Sequence, residues 1–108
     1  MNPKKSNFNE RCYSLLRNVP RGKVTTYKAL AQKINTKAYR AVGNAMNKNP
    51  YAPEVPCHRV VGSDGSMTGF ASGIKNKIKM LKSEGIEIQN NKLDLKKYEF
   101  KLWITSDF

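Results

Sequence analysis

A single domain, mostly α with small β elements and winged helix-turn-helix-like in outline, is predicted from three observations. Apolar residues recur at helical spacing in four separate stretches. Alternation of the kind that marks strands is confined to short segments after residue 59 and near residue 90. Two of the helical stretches are separated by only three or four residues, in a chain of 108 residues carrying a formal charge of +12.

The first helix is expected over residues 7–18. Asn7 with Glu10 three residues on gives a capping-box-like start, and Phe8, Cys12, Leu15, Leu16 and Val19 share one face. Cys12 on that face reads as a small buried hydrophobe, and Pro20 with Gly22 ends the helix. Val24-Thr25-Thr26 is extended at most briefly before a threonine caps the second helix, in which Tyr27, Leu30, Ala31 and Ile34 repeat. Asn35-Thr36-Lys37 breaks the chain, and a third helix follows with Ala38, Ala41, Val42, Ala45 and Met46 on one side. Spacing alone leaves this pair open between a DNA-reading helix-turn-helix and an ordinary αα-hairpin.

Residues 47–56 hold three prolines, so they form neither helix nor central strand and deliver the chain to Cys57 in a restricted conformation. Val60 to Met67 reads as a short hairpin or tight turn, and residues 68–73 as a small-residue loop with one exposed aromatic, Phe70. Ser72 is placed to cap a last helix whose buried stripe is Ile74, Ile78 and Leu81, with Gly85 at its C′ position. Ile86-Glu87-Ile88 and Lys92 to Leu95 alternate around Asn90-Asn91 as in a hairpin, and Tyr98, Phe100, Leu102, Trp103 and Ile104 are apolar enough to pack back on the domain.

Composition narrows the function classes. The excess of 20 Lys+Arg over 8 Asp+Glu favours a polyanionic partner, nucleic acid before anionic membrane, although a lysine-rich composition can also be plain solvated charge. No apolar run approaches the roughly 18 residues of a membrane span, and no signal peptide is visible, so an intracellular, cytoplasmic protein is expected. Two cysteines and one histidine cannot build a four-ligand zinc site, so no metal is implied, and a disulfide is disfavoured in a reducing compartment. The only histidine, His58, stands beside Cys57 and Arg59. Cationic neighbours favour thiolate, the nucleophilic form of cysteine. On an extended segment, adjacent side chains point to opposite faces, so His58 would act on Cys57 through a water, with Glu84 one candidate to orient the ring. The competing reading is a buried cysteine beside a surface histidine. A Cys-His hydrolase is disfavoured, because its histidine belongs on a separate element.

Pro56-Cys57-His58-Arg59-Val60 resembles the active-site motif of the O6-alkylguanine-DNA alkyltransferases. The resemblance extends through Val19 to Tyr27, Arg40 to Met46, Asn49-Pro50 and Lys77 to Gly85, covering residues 8–88 in unbroken order. It implies a DNA repair protein that acts once, without a cofactor. Cys57 takes the alkyl group from O6 of a flipped-out guanine, His58 deprotonates Cys57 through water, Glu84 orients His58 and Asn49 shapes the turn. Tyr27 donates a proton toward the guanine and presses on the 3′ phosphate. Arg40 fills the gap in the stack, and Thr26, Ala41, Gly43, Asn44 and Lys37 meet double-stranded DNA from the minor-groove side. Val60, Met67, Phe70, Ala71 and Ser72 line the base pocket. Lys23, Lys28, Lys37, Lys48 and Lys77 are the candidate phosphate contacts. A monomer is expected, with cooperative binding on DNA left open, and the segments are a helix-turn-helix near 26–48, an active-site loop at 49–61 and a C-terminal hairpin and tail at 86–108.

Three departures from the family pattern stand out. The first helix begins near residue 7, so the N-terminal domain of many members, and any metal in it, is expected to be absent. Phe70 stands where tyrosine is common, and Ala71-Ser72-Gly73 where Ser-Gly-Gly is usual, which bears on the range of alkyl groups accepted. The short length and C-terminal hairpin resemble the alkyltransferase-like proteins, which bind alkylated guanine without repairing it and usually carry tryptophan at the position of Cys57. That alternative is set against the active enzyme by the cysteine itself.

Overall fold

Helix α1 spans Phe8–Leu16 in the computed structural model, which describes residues 8–68 and 73–102. Cys12, Leu15, Leu16 and Val19 are fully buried, together with Tyr13, whose hydroxyl donates to the Ala45 carbonyl at 2.8 Å. The polar tip of that tyrosine has a partner, and this is what lets a residue outside the strict apolar stripe join the core. The expected cap at Asn7 lies outside the described residues.

After the turn at Gly22 (φ 86°), Thr25–Thr26 form β1, and the Thr26 hydroxyl accepts from Ala29 N at 2.9 Å to cap α2 (Tyr27–Lys33). Residues 34–38 lead to α3 (Tyr39–Asn47), which packs on α2 and α1. Val42, Ala45 and Met46 supply its buried face. Ala38, expected on that face, is instead the exposed residue before the first turn, and Ala41 is only half-buried. The proline-rich loop ends in a 3₁₀ turn at Cys57–Arg59, followed by β2 (Val60–Val61). The extended conformation expected at Cys57 and His58 is therefore corrected to a tight turn.

β2 does not fold back on itself as a hairpin. It pairs in parallel with β1, Thr25 with Val60 and Thr26 with Val61, a long-range pairing that no local pattern signals. Alternation along β2 then divides the interior: Val60 joins the core made by α1, α2 and α3, and Val61 joins a second core of Val24, Met67, Leu81, Ile86, Leu93 and Tyr98. Gly62 and Ser66 close the tight turn that follows, and Gly65 (φ 86°) carries no Cβ because one would collide with the Leu93 carbonyl.

Helix α4 (Ile74–Ser83) buries Lys77 and Leu81, while Ile78 is half-buried and Ile74 is exposed. The buried stripe thus lies one position from the expected one, with a lysine in it. Asn90 (φ 53°) and Asn91 (φ 61°) make the expected reversal, with Gln89 and Lys92 exchanging hydrogen bonds of 2.9 Å. The second arm does not continue as a strand: Leu93 N donates to the Gly65 carbonyl, and α5 begins at Leu95 (Leu95–Tyr98). Glu99 then bridges Val24, with Phe100 N donating to the Val24 carbonyl at 2.7 Å, so the tail docks beside β1 and buries Leu102. Trp103 and Ile104 lie outside the described residues. No helix among the described residues is long and apolar enough to cross a membrane.

Candidate functional site

The loop before Cys57 is held by one amide side chain. Asn49 Nδ2 donates to the Val55 carbonyl at 2.7 Å, and Asn49 Oδ1 accepts from Tyr51 N at 2.9 Å. The same Val55 carbonyl accepts from Cys57 N at 2.9 Å. Asn49 is therefore bonded directly to the backbone that turns the chain into Cys57. Farther out, Tyr51 stacks edge-on against Tyr13 with ring centroids 5.5 Å apart and donates to Glu10 at 3.0 Å, fixing the loop to α1.

Glu84, the residue that ends α4, collects the next two side chains of the turn. His58 Nε2 lies 2.8 Å from Glu84 Oε2. Arg59 spans the carboxylate through Nε to Oε1 at 2.9 Å and Nη2 to Oε2 at 2.7 Å, with Nη1 donating to the Val19 carbonyl at 2.9 Å. Burial raises the Glu84 pKa, but the hydrogen bonds from Arg59 and His58 outweigh it and hold the carboxyl at about 2. An ionised carboxylate only accepts, so Nε2 carries the hydrogen and Nδ1 is left as the basic nitrogen of a neutral ring. Burial lowers the His58 pKa from 6.5, Glu84 opposes that, and the charges of Arg59 and Lys77 add to it, so the ring is neutral at pH 7. Among the described residues, no hydrogen bond joins Cys57 to the His58 ring. Cys57 is 6% exposed, at the margin of the helical core.

A second chain of polar groups approaches from the other side. Lys77, expected among the phosphate contacts, is 0% exposed and cannot reach a partner's phosphates from there. Its ammonium donates to the Thr68 carbonyl at 3.4 Å and to Thr68 Oγ1 at 3.5 Å, and sits 5.8 Å from the Tyr27 ring centroid. Thr68 Oγ1 in turn donates to the Tyr27 hydroxyl at 3.0 Å. Burial brings Lys77 down to about 8, opposed by the negative charge that Cys57 can carry nearby. Burial raises the Tyr27 pKa, the Thr68 hydrogen bond opposes this and Cys57 adds to it, so the phenol stays protonated. Thr68 carries no expected role, Lys77 was expected at a phosphate, and Arg59 was expected only as a cationic neighbour of Cys57 rather than as a partner of Glu84. A lysine at a helix position between apolar residues leaves the face of the helix open, so the sequence holds no signal for the burial of Lys77.

The remaining expected site residues fall in three places. Arg40, Lys37 and Asn44 are exposed on the α2–turn–α3 unit, with Ala41 and Gly43 half-buried between them and Thr26 engaged as the α2 cap. A Cβ on Gly43 would meet nothing within 4 Å, so packing inside the protein does not require glycine there. Val60 and Met67 are buried, one in each core. Phe70, Ala71 and Ser72 lie outside the described residues. Beside Tyr27, a depression of about 370 Å³ is lined by Tyr27, Lys28, Tyr39 and Ser63. Among the described residues, no group of three or more His, Cys, Asp or Glu could hold a metal ion.

Comparison with known proteins points to one family. Residues 7–86 match the family model described as 6-O-methylguanine DNA methyltransferase, DNA binding domain. The chain is 46% identical over 84 residues to a methylated-DNA–protein-cysteine methyltransferase of Methanosarcina acetivorans, covering 77% of this chain and 54% of that protein. It is similar to the crystal structure of the O6-methylguanine-DNA methyltransferase of Pyrococcus kodakaraensis, with TM-score 0.67 and 49% identity over 73% of this chain and 46% of that one. It is also similar to S. pombe Atl1 in complex with damaged DNA containing O6-carboxymethylguanine, with TM-score 0.77 and 31% identity, covering 94% of this chain and 99% of that one. The chain spans about half the length of the curated methyltransferases it matches.

Proposed function

This chain belongs to the 6-O-methylguanine DNA methyltransferase family, and from that premise we propose that it repairs O6-alkylguanine in double-stranded DNA by moving the alkyl group irreversibly onto Cys57. The observation that carries the reading is the Glu84 carboxylate bonded at once to His58 and Arg59, which leaves His58 Nδ1 basic next to a cysteine at the protein's margin. A water between that nitrogen and Cys57 takes the thiol proton to the ring. The thiolate attacks the alkyl carbon in line, the C–S bond forms, and the C–O electron pair collapses into the guanine. Tyr27 gives its phenolic proton to the guanine ring as this happens, which keeps charge from building on the leaving group. The phenolate regains a proton and His58 releases one, so the sum is thiol plus O6-alkylguanine going to thioether plus guanine. Lys77, linked to Tyr27 through Thr68, puts a positive charge behind both groups.

The target carbon is inside the duplex, so the nucleotide must leave the stack, at a cost of about a few kcal/mol. In this reading α3 enters the minor groove: Arg40 fills the vacated space, its planar cation stacking and hydrogen-bonding at once. Ala41 and Gly43 allow close approach, and Thr26, Lys37 and Asn44 line the contact. Val60, Met67, Phe70, Ala71 and Ser72 are assigned to the base pocket. Residues 1–108, with the helix-turn-helix of about 26–48, the loop 49–61 and the C-terminal segment 86–108 as its parts, are assigned to a single active-site and DNA-binding domain, acting as a monomer inside the cell. Incubated with an O6-methylguanine duplex, the protein should gain the mass of one methylene on the peptide containing Cys57, once per molecule. Cys57→Ala should bind the same duplex without reacting. An unmodified protein after prolonged incubation with excess lesion would overturn the assignment.

A further inference from the structure

Tyr39 is used by neither the site nor the fold. It is the first residue of α3, immediately before Arg40, and is 47% exposed, the most exposed large hydrophobic side chain among the described residues. Its hydroxyl makes no hydrogen bond among the described residues, in contrast to Tyr51, whose hydroxyl is bonded to Glu10 and whose ring lies under Arg17. Tyr39 also stands as a ridge between two depressions. One, of about 370 Å³, is shared with Tyr27, Lys28 and Ser63; the other, of about 330 Å³, is lined by Gln32, Asn35, Thr36 and Lys37. Among the described residues, no carboxylate lines either one, and each is lined by one cation, Lys28 or Lys37. An aromatic ridge between two cationic, otherwise neutral polar hollows is complementary to a sugar–phosphate strand, which alternates an apolar sugar face with anionic phosphates.

We propose that Tyr39 is a DNA-contact residue whose ring packs on the deoxyribose that joins the flipped nucleotide to its neighbour, with the adjoining phosphates seated beside Lys28 and Lys37. The proposal rests on the repair reading for its partner. The placement follows from the neighbours of Tyr39: Arg40, one residue along, is assigned to the gap in the stack, and Tyr27, across the shared depression, to the flipped nucleotide. The sugar that lies between gap and flipped base falls to the side chain between them. Such a contact forms only when the nucleotide has left the stack, so Tyr39 would favour lesion-bearing over intact duplex. It is apolar, so it would not alter the salt dependence of binding.

The test measures equilibrium binding to O6-methylguanine and to unmodified duplexes over a range of salt, in a Cys57→Ala background so that transfer cannot interfere. Tyr39→Ala should bind the lesion duplex about five- to tenfold more weakly, a loss of the size expected for one buried ring contact. It should bind the intact duplex nearly as before, with an unchanged salt slope. Tyr39→Phe should bind within about twofold of the parent, because the ring and not the hydroxyl carries the contact. Lys28→Gln and Lys37→Gln should each lower the slope by about one. Equal affinity of Tyr39→Ala and parent on the lesion duplex, or equal loss on both duplexes, or no binding of either duplex by the parent, would overturn the proposal. Alkylation of Cys57 in the unmutated protein, measured in parallel by mass, separates the two claims: transfer with an indifferent Tyr39 overturns this inference alone. The Tyr39 pattern without transfer overturns the repair chemistry alone.

Discussion

At the scale of single residues, the burial of Lys77 has a direct energetic consequence. An ammonium withdrawn from water loses its hydration, and at 0% exposure Lys77 recovers part of that from Thr68 and the Tyr27 ring. Its pKa of about 8 in the fold lies below the 10.5 of an unfolded chain. Between those two values the unfolded chain binds the extra proton, so stability rises as the pH climbs through that window. Below about 8 the charge burdens the folded state by about 3 kcal/mol. Lys77→Met should therefore be more stable than the parent by about 2–3 kcal/mol at pH 7, with the gain shrinking toward pH 10.5, as urea unfolding at both values would show. In the proposed reaction that charge stands behind Tyr27. The transfer rate should fall on the acid side below pH 6.5, as His58 takes up a proton, and on the alkaline side near pH 8, as Lys77 loses its charge. In Lys77→Met the alkaline limb should vanish. That the cysteine and the only histidine sit side by side was legible in the chain. The burial of Lys77 was not, because a lysine at a helix position between Ile74 and Ile78 carries no local mark of which way the helix faces.

At the scale of elements, helical periodicity located all four long helices, and turn chemistry located Gly65, Gly85 and Asn90-Asn91. It failed where an element's face depends on a partner far away in sequence. The stripe on α4 is set by Thr68 and Arg59, and the strand at Val60–Val61 by Thr25–Thr26 rather than by the residues after it. That parallel pairing leaves one trace: Thr25 is 0% exposed, and its hydroxyl is the one buried side-chain polar atom without a hydrogen-bond partner among the described residues. An unpaired buried hydroxyl costs about 1–3 kcal/mol. Thr25→Val keeps the shape and the β-branching, so it should raise stability by about 1 kcal/mol without affecting transfer, measured by denaturant midpoint and by Cys57 alkylation. A loss of stability would mean that the hydroxyl has a partner in solution.

At the scale of the whole molecule, the charge of +12 is spread unevenly in its effect. Arg59 is committed to Glu84 and Lys77 to the interior, whereas Lys23, Lys28, Lys37, Arg40 and Lys48 are exposed. With about four to six phosphates neutralised, log K for duplex DNA should fall with log salt at a slope of about −4 to −5. A slope near zero, measured by anisotropy from low to physiological salt, would remove the electrostatic part of the repair reading.

The sequence by itself determined the approximate place of α1 to α4, the caps at Thr26 and Gly85, the restricted entry to Cys57 and, through the order of its motifs, the family. These are local or linear properties: propensity, capping and spacing act between residues a few positions apart. Only the tertiary structure decided that Cys57–Arg59 is a turn rather than a strand, that one carboxylate of α4 serves both His58 and Arg59, and that Lys77 backs Tyr27 through Thr68. Each of those joins groups from separate elements, and their distances are fixed by how two cores close around the β1–β2 pair, which no window of the sequence contains.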